Sequence, residues 1–396
     1  MSVLRELPPD QEVKPSHWSR FRLVPLILLF LLAAVALAGG YIWKASNPYG
    51  VALPEPTAAP GEPLPEACTP PFEREGATDA WTADPAAAEA AFQARDAELQ
   101  GYYVEGEGGH LLLGEPHSEN ISQAVGRFQL TADRVEAWNG YLSNMRATLQ
   151  ADGRELLVLI APAKWETVPE ALPAWTEGLL GPTVLDQLLA ERPELPIVDV
   201  RAAMEAADDE IPLYSPLNSH WTDYGAWVAF DALAGCMREV SPELAGVEAP
   251  AVTGVERTTD HSEYGGAGWT GEPGQDWTVP VYAEPASAMQ VTYADGSTET
   301  LESTAQLDML QLPATTRTAD ASTDRTALVL RDSTGNGFGP PLQAAFAETM
   351  QVVHALDRPA DMPDAPALAA EIDADVVLLV MTERYLALVP GVGPVP

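Results

Sequence analysis

Lysine is nearly absent from this chain: Lys14, Lys44 and Lys164 are the only three in 396 residues. Basic side chains total 21 against 58 acidic ones, a formal net charge of −37. A surface this acidic repels phosphate backbones, which argues against nucleic acid as a partner. Cysteine is equally scarce. Cys68 and Cys236 make neither a zinc site nor a CxxC redox pair. Two readings stay open for them: one disulfide outside the cytoplasm, tying the segment after residue 43 to the main domain, or two buried thiols. No group of His, Asp and Glu has ligand spacing, so no metal is expected, and nothing points to a cofactor. The glycines of 106–109 are not followed by Lys-Ser/Thr and open no helix, so a hairpin is expected there rather than a phosphate loop. Internal repeats are lacking.

Long apolar runs are limited to one. Residues 23–43 (LVPLILLFLLAAVALAGGYIW) hold no charge, and at ~1.5 Å rise per residue they span the ~30 Å hydrocarbon core of a bilayer. Arg5, Lys14, Arg20 and Arg22 precede the run and only Lys44 closely follows it. The positive-inside rule then places residues 1–22 as a cytoplasmic tail and everything after the span outside. A cleaved signal peptide is the rival, because Ala36-Leu37-Ala38 resembles a cleavage site. The long polar leader and the length of the run favour an uncleaved single-pass anchor in the cell membrane. Residues 44–80 are rich in proline and read as an extended linker holding the domain off the membrane.

Hydrophobic residues make up 46% of the chain, enough for a sizeable core in the globular part, residues 81–396. Continuous apolar runs at 156–160, 197–200, 327–330, 352–355 and 376–381 read as strands buried on both faces. Helical patterns lie between most of them, at 183–191, 221–238, 340–349 and 366–372. This alternation predicts an α/β domain with a mainly parallel sheet flanked by helices. The stretch 243–316 breaks it. Rich in Thr, Gly and Pro, with a hairpin signal at Asp295-Gly296, it reads as a β-rich insertion or antiparallel extension.

Two segments carry chemistry. In NSHW (218–221), His220 sits at a helix entrance, with Thr222 and Asp223 suited to the first turn. In LVLRDSTG (328–335), Ser333 follows the end of a buried strand, where open α/β sheets bind ligands. A serine hydroxyl needs a base within hydrogen-bond reach and a third group that orients that base. His220 is the candidate base and Asn218 the candidate orienting group, with backbone N–H groups near Ser333 available to hold an oxyanion.

These two segments resemble the SGNH-hydrolase-like domain of the alginate O-acetylation proteins, the AlgJ/AlgX type. VEGEGGHLLLG (104–114) is similar to the family's Gly-x-x-Gly-Trp-Leu-Phe block. LLVLIAPAKWETVPEALP (156–173) is similar to its Pro-x-Lys and Pro-Glu-x-Leu-Pro block. NSHW stands where the family has Asp-x-His-Trp, and LVLRDSTG where it has Gly-Asp-Ser. DVVLLVMTERYL (375–386) resembles its last strand and Glu-Arg pair. The likeness runs over roughly 85–390 in the same order.

The resemblance implies a triad of Ser333 as nucleophile, His220 as base and position 218 as the orienting acid. It also implies acetyl transfer to a hydroxyl of a cell-envelope or exported polysaccharide, with a multi-pass membrane O-acyltransferase supplying the acetyl group. Three positions depart from the family pattern. Asn218 replaces an aspartate and removes a charge from the triad. Arg331 replaces a glycine and would crowd the approach to the serine. His110 replaces a tryptophan. A non-catalytic glycan-binding or scaffold relative is the second reading, and a carbohydrate esterase the third.

Overall fold

The computed structural model describes residue 21 and residues 24–46, 52–207, 210–259, 262–283, 288–302 and 304–392. The expected cytoplasmic tail therefore lies almost wholly outside the described residues. The chain divides into two units, Met1–Ala52 and Leu53–Pro396. The first contains one helix, Val24–Ser46, whose Leu26 to Leu32 are exposed apolar side chains. The side chains at 41–43, 45 and 46 are outside the described set. Among the described residues no helix is long and apolar enough to cross a membrane. The expected span 23–43 thus falls partly beyond what is described.

Among its described residues the second unit has twelve strands: β1 Tyr103–Glu105, β2 Leu111–Leu113, β3 Glu155–Ala161, β4 Ile197–Asp199, β5 Val252–Thr258, β6 Trp277–Tyr282, β7 Met289–Tyr293, β8 Thr298–Leu301, β9 Ala314–Arg317, β10 Thr323–Arg331, β11 Phe346–Val353 and β12 Val376–Thr382. Eight of them form one sheet in the order β4-β3-β12-β10-β11-β9-β7-β8. The pairs from β4 to β11 are parallel, and those from β11 to β8 antiparallel.

Four of the five apolar runs fall on β3, β4, β10 and β12; the fifth, 352–355, overlaps only the end of β11, which begins earlier, at Phe346. They lack alternation because both faces are covered. On one face Leu157, Leu159, Val329, Leu378 and Val380 pack against helices Asp223–Val240 and Gly339–Ala345. On the other, Leu156, Val158, Leu328, Leu330 and Leu379 pack against helices Ala132–Ala151, Val184–Glu191 and Ala365–Glu371. Successive strand residues point to opposite faces, so one run feeds two cores. The expected helix 340–349 is shorter than its pattern. It stops at Ala345, and Phe346 already belongs to β11, which pairs with β10.

The stretch 243–316 resolves into two pieces. β7 and β8, with β9, extend the main sheet antiparallel beyond β11. β5 and β6 form a separate two-stranded ribbon, and the loop between them returns toward NSHW.

The proline-rich segment departs from the linker expectation at 44–80: from Leu53 on it belongs to the domain unit, while 47–51 lie outside the described residues. Thr57 bonds Asn144 Oδ1 from its backbone N–H (2.8 Å), and Arg146 Nη1 bonds the Glu62 carbonyl (2.9 Å). A Cβ at Gly140 would stand 2.4 Å from the Pro54 carbonyl, so only glycine lets the strap lie on this helix. Arg74 is buried against Glu166 at 3.2 Å. Cys68 is disulfide-bonded to Cys236 in helix Asp223–Val240, which decides between the two readings of the cysteines. Proline composition signals an extended backbone, and an extended backbone can still lie on a surface when its side chains find partners.

Candidate active site

β10 ends at Arg331, and the chain turns through Asp332 into a 3-10 helix, Ser333–Phe338. Asp332 caps that helix: its Oδ1 accepts from Thr334 N at 2.7 Å, and its Oδ2 accepts from Thr382 N at 3.0 Å. Burial would raise this carboxyl, but His354 and Arg384 hold it well below the usual carboxylate range. His354 Nε2 faces it at 3.7 Å, an ion-pair distance rather than a hydrogen bond. Ser333 is thereby the first residue of a capped helix turn; the Thr334 N–H is taken by Asp332 Oδ1 and the Gly335 N–H by the Asp332 carbonyl, which leaves the Ser333 N–H as the donor of this turn that can serve an oxyanion.

The second half comes from the loop ahead of helix Asp223–Val240. Thr222 caps that helix through Gly225 N, as the sequence pattern expects. The loop is fixed from below by Lys164, whose buried Nζ donates to the carbonyls of Leu111 (2.8 Å) and Pro216 (2.9 Å). Trp221 joins the halves. Its Nε1 donates to the Thr334 carbonyl at 2.9 Å, and its ring stacks on Phe338 at 5.3 Å.

Ser333 Oγ lies 2.8 Å from His220 Nε2. On the other side of the ring, Nδ1 lies 2.7 Å from Asn218 Oδ1 and 3.1 Å from Glu263 Oε2. The amide orientation follows from geometry, because the backbone N–H of His220 also donates to Asn218 Oδ1, at 3.0 Å. With two oxygen acceptors beside it, Nδ1 carries the proton. Nε2 is then the free lone pair, facing the serine hydroxyl, which is the arrangement a general base needs.

Glu263 is the residue that sequence reasoning missed. It sits between β5 and β6, in a stretch without periodic pattern. Its N–H donates to the Leu217 carbonyl at 3.3 Å, which ties the ribbon to the NSHW loop. Next to it, Tyr264 is fully buried and its hydroxyl donates to the Leu111 carbonyl at 3.3 Å. Burial would raise the Glu263 carboxyl, yet the hydrogen bond and charge of His220, with the charge of Arg384, bring it down to about 2. The charge absent at position 218 is thus present 45 residues downstream. The only local clue is an acid beside an aromatic, which is too common to single out.

Arg331 does not crowd the serine. Its side chain is buried and turns into the protein, with Nε donating to Gln351 Oε1 (2.8 Å) and Nη1 to Asn336 Oδ1 (2.7 Å) and the Asp332 carbonyl (3.1 Å). Nη2 donates to the Leu307 carbonyl at 2.6 Å. A Cβ at Gly335 would lie 2.5 Å from the arginine Cδ, so the glycine makes room for it. The guanidinium braces the nucleophile turn from behind. Among the described residues no group of His, Cys, Asp and Glu could hold a metal ion.

Residues 122–307 match the family model of the SGNH hydrolase-like domain of acetyltransferase AlgX. The match includes Asn218, His220 and Glu263 and ends before Ser333. Among solved structures, the chain is similar to PatB1 of Bacillus cereus with a sulfonyl adduct, at 15% identity and TM-score 0.48, covering 64% of this chain and 89% of that one. It is similar to the O-acetyltransferase domain of Pseudomonas putida AlgJ at 18% identity and TM-score 0.39, covering 72% and 92%. For Pseudomonas aeruginosa AlgX the values are 13% and 0.42, covering 72% and 63%. No curated protein matches the chain.

Proposed function

We propose, from the match of residues 122–307 to the SGNH hydrolase-like domain of acetyltransferase AlgX, that this chain is an O-acetyltransferase acting on a polysaccharide. The observation that carries the proposal is the 2.8 Å contact of Ser333 Oγ with a His220 Nε2 whose opposite nitrogen lies between two acceptor oxygens.

In the first half-reaction the Ser333 oxygen adds to the acetyl carbonyl as His220 Nε2 takes its proton. The tetrahedral oxyanion is met by the Ser333 N–H, since those of Thr334 and Gly335 are held by Asp332. Collapse expels the donor's leaving group, which recovers the proton from His220, and leaves acetyl-Ser333. A sugar hydroxyl then attacks, again deprotonated by His220, and the acetyl group passes to the glycan while Ser333 regains its proton. Water in place of the sugar gives the esterase outcome. Glu263 supplies the negative charge that stabilises the imidazolium, and Asn218 fixes the ring. Asn218 thereby keeps an orienting role without being the acid.

The proposal includes a location. Residues 23–43 anchor the chain in the cell membrane with the domain outside. The absence of charge in this run and the exposed apolar side chains of helix Val24–Ser46 support the anchor. The Cys68–Cys236 disulfide supports an oxidising compartment. On this reading a multi-pass membrane acyltransferase delivers the acetyl group.

The test uses the purified full chain with 4-nitrophenyl acetate and an oligosaccharide acceptor. The expected result is 4-nitrophenol release with acetylated oligosaccharide, both lost in Ser333→Ala. Release without acetylated sugar would make the chain an esterase. No release at all, with glycan binding retained in Ser333→Ala, would make it a scaffold.

A further inference from the structure

The acidity of the chain is concentrated in the domain. Residues 1–52 hold three of the acids and five of the bases, which leaves 55 acidic against 16 basic side chains in 53–396. Most of those bases are already engaged. Arg74 and Arg201 are buried with Glu166, and Lys164 with two carbonyls. Arg127 pairs with Glu89, Arg192 with Glu136, Arg257 with Asp276, Arg317 with Glu348 and Arg325 with Asp375. Arg331 is spent on the nucleophile turn. These pairs reduce the cationic surface along which a polyanion could lie; Arg384 is the base whose charge acts on Glu263 and Asp332 at the site.

A cleft of about 690 Å³ opens along β1, on the Glu263 side of the site. Tyr102, Tyr103 and Trp175 line it, with Glu98, Glu105 and Glu107. Its one arginine, Arg95, is paired with Glu98 at 3.2 Å. Tyr102 is 49% exposed, unusual for an aromatic ring in a protein with a full core. The aromatic wall of the cleft packs against the residue that follows Glu263. Tyr264, which follows Glu263, packs edge-on against Tyr102 at 6.3 Å and Tyr103 at 5.6 Å. Exposed aromatic faces beside carboxylates suit the apolar face and the polar edge of a sugar ring, and ammonium groups lie well over such faces.

We propose that the cleft of Tyr102, Tyr103 and Trp175 is the acceptor subsite, and that it takes a glycan without negative charge, that is a neutral or amino-sugar chain rather than a polyuronate. The substrate class rests on the acetyl-transfer reading above; the binding site does not. A uronate repeat would bring one carboxylate per residue to within a Debye length, about 8 Å at physiological ionic strength, of Glu98, Glu105 and Glu107. Neutral hydroxyls meet no such repulsion, and ammonium groups are attracted.

The probes are chitotetraose, its fully de-N-acetylated form and tetramannuronate, titrated calorimetrically into the full chain and then offered as acceptors with 4-nitrophenyl acetate. Binding is expected for the first two and not the third, with the de-N-acetylated chain binding more weakly as salt rises. Tyr102→Ala should weaken binding of both by roughly tenfold, the equivalent of one lost aromatic contact. Glu105→Gln should weaken the amino chain alone. Tetramannuronate binding as tightly as chitotetraose, or unchanged binding in Tyr102→Ala, would overturn the proposal. Selective binding without acetyl transfer from any donor would leave the subsite standing and remove the acetyltransferase reading instead.

Discussion

The parallel half of the sheet and the stretch 243–316 contribute to the site in different ways. The parallel half carries Ser333 at the end of β10, and Asp332 there is braced by the first residues after β11 and the end of β12. Its strands are buried on both faces, so the nucleophile stands on the stiffest part of the molecule. The ribbon β5–β6 packs one edge and is more exposed. From its loop comes Glu263, the charge partner of His220. On the proposed reading, the framework fixes where the reaction occurs, and the added segment sets the charge at which it occurs. A substitution in the NSHW motif that looks disabling is compensated from a segment that looks ornamental.

This contrast is broken most sharply by Glu263→Gln. If the ribbon supplies the charge, kcat should fall by about 10²–10⁴, as when a triad acid becomes an amide. Asn218→Ala should cost less, because a carboxylate still faces Nδ1. Asn218→Asp should raise activity little in the wild-type background and substantially in Glu263→Gln. Equal losses for Glu263→Gln and Asn218→Ala would dissolve the distinction between the two regions. Steady-state rates with 4-nitrophenyl acetate measure all four.

A second contrast lies between the strap and the core. Replacing both Cys68 and Cys236 by alanine releases a crosslink spanning 168 positions of sequence. Denaturant unfolding should show a loss of about 2–5 kcal/mol, with kcat in the folded enzyme unchanged because neither residue touches the site.

The two acids of unlike burial offer a pH test. Glu263 is held at about 2, so its ion favours the fold above the ordinary carboxylate range. That contribution is lost as pH falls from about 4.5 toward 2. Urea unfolding between pH 6 and 3 should show this acid slope flattened in Glu263→Gln. Glu383 behaves oppositely. Full burial, then the charge of Glu166, push it up to about 8. The folded chain therefore keeps a proton that the unfolded chain releases, and stability falls as pH rises from about 4.5 to 8. Glu383→Gln should remove that decline. An unchanged decline in the variant would mean the carboxyl is already ionised in the folded chain.

The sheet was legible because strands buried on both faces read as unbroken apolar runs, and β3, β10 and β12 could hardly be anything else. Ser333 and His220 were legible because each sits where a loop meets a regular element, and the motif order matched a family. The rest was hidden for physical reasons. Glu263 reaches His220 through tertiary folding from a loop with no period. Arg331 looked obstructive because sequence does not say which way a side chain turns, and Gly335 is what lets it turn inward. The proline-rich strap looked detached because its anchors are single contacts, such as Thr57 with Asn144, without any repeating pattern.

The most direct test of the central claim is a quenched single turnover of the full chain with 4-nitrophenyl acetate, followed by intact-mass and peptide analysis. The prediction is one added acetyl group, mapped to the peptide bearing Ser333, absent in Ser333→Ala and slow to form in Glu263→Gln. An acetyl group on any other residue, or an adduct forming as fast in Glu263→Gln as in the unaltered chain, would contradict it.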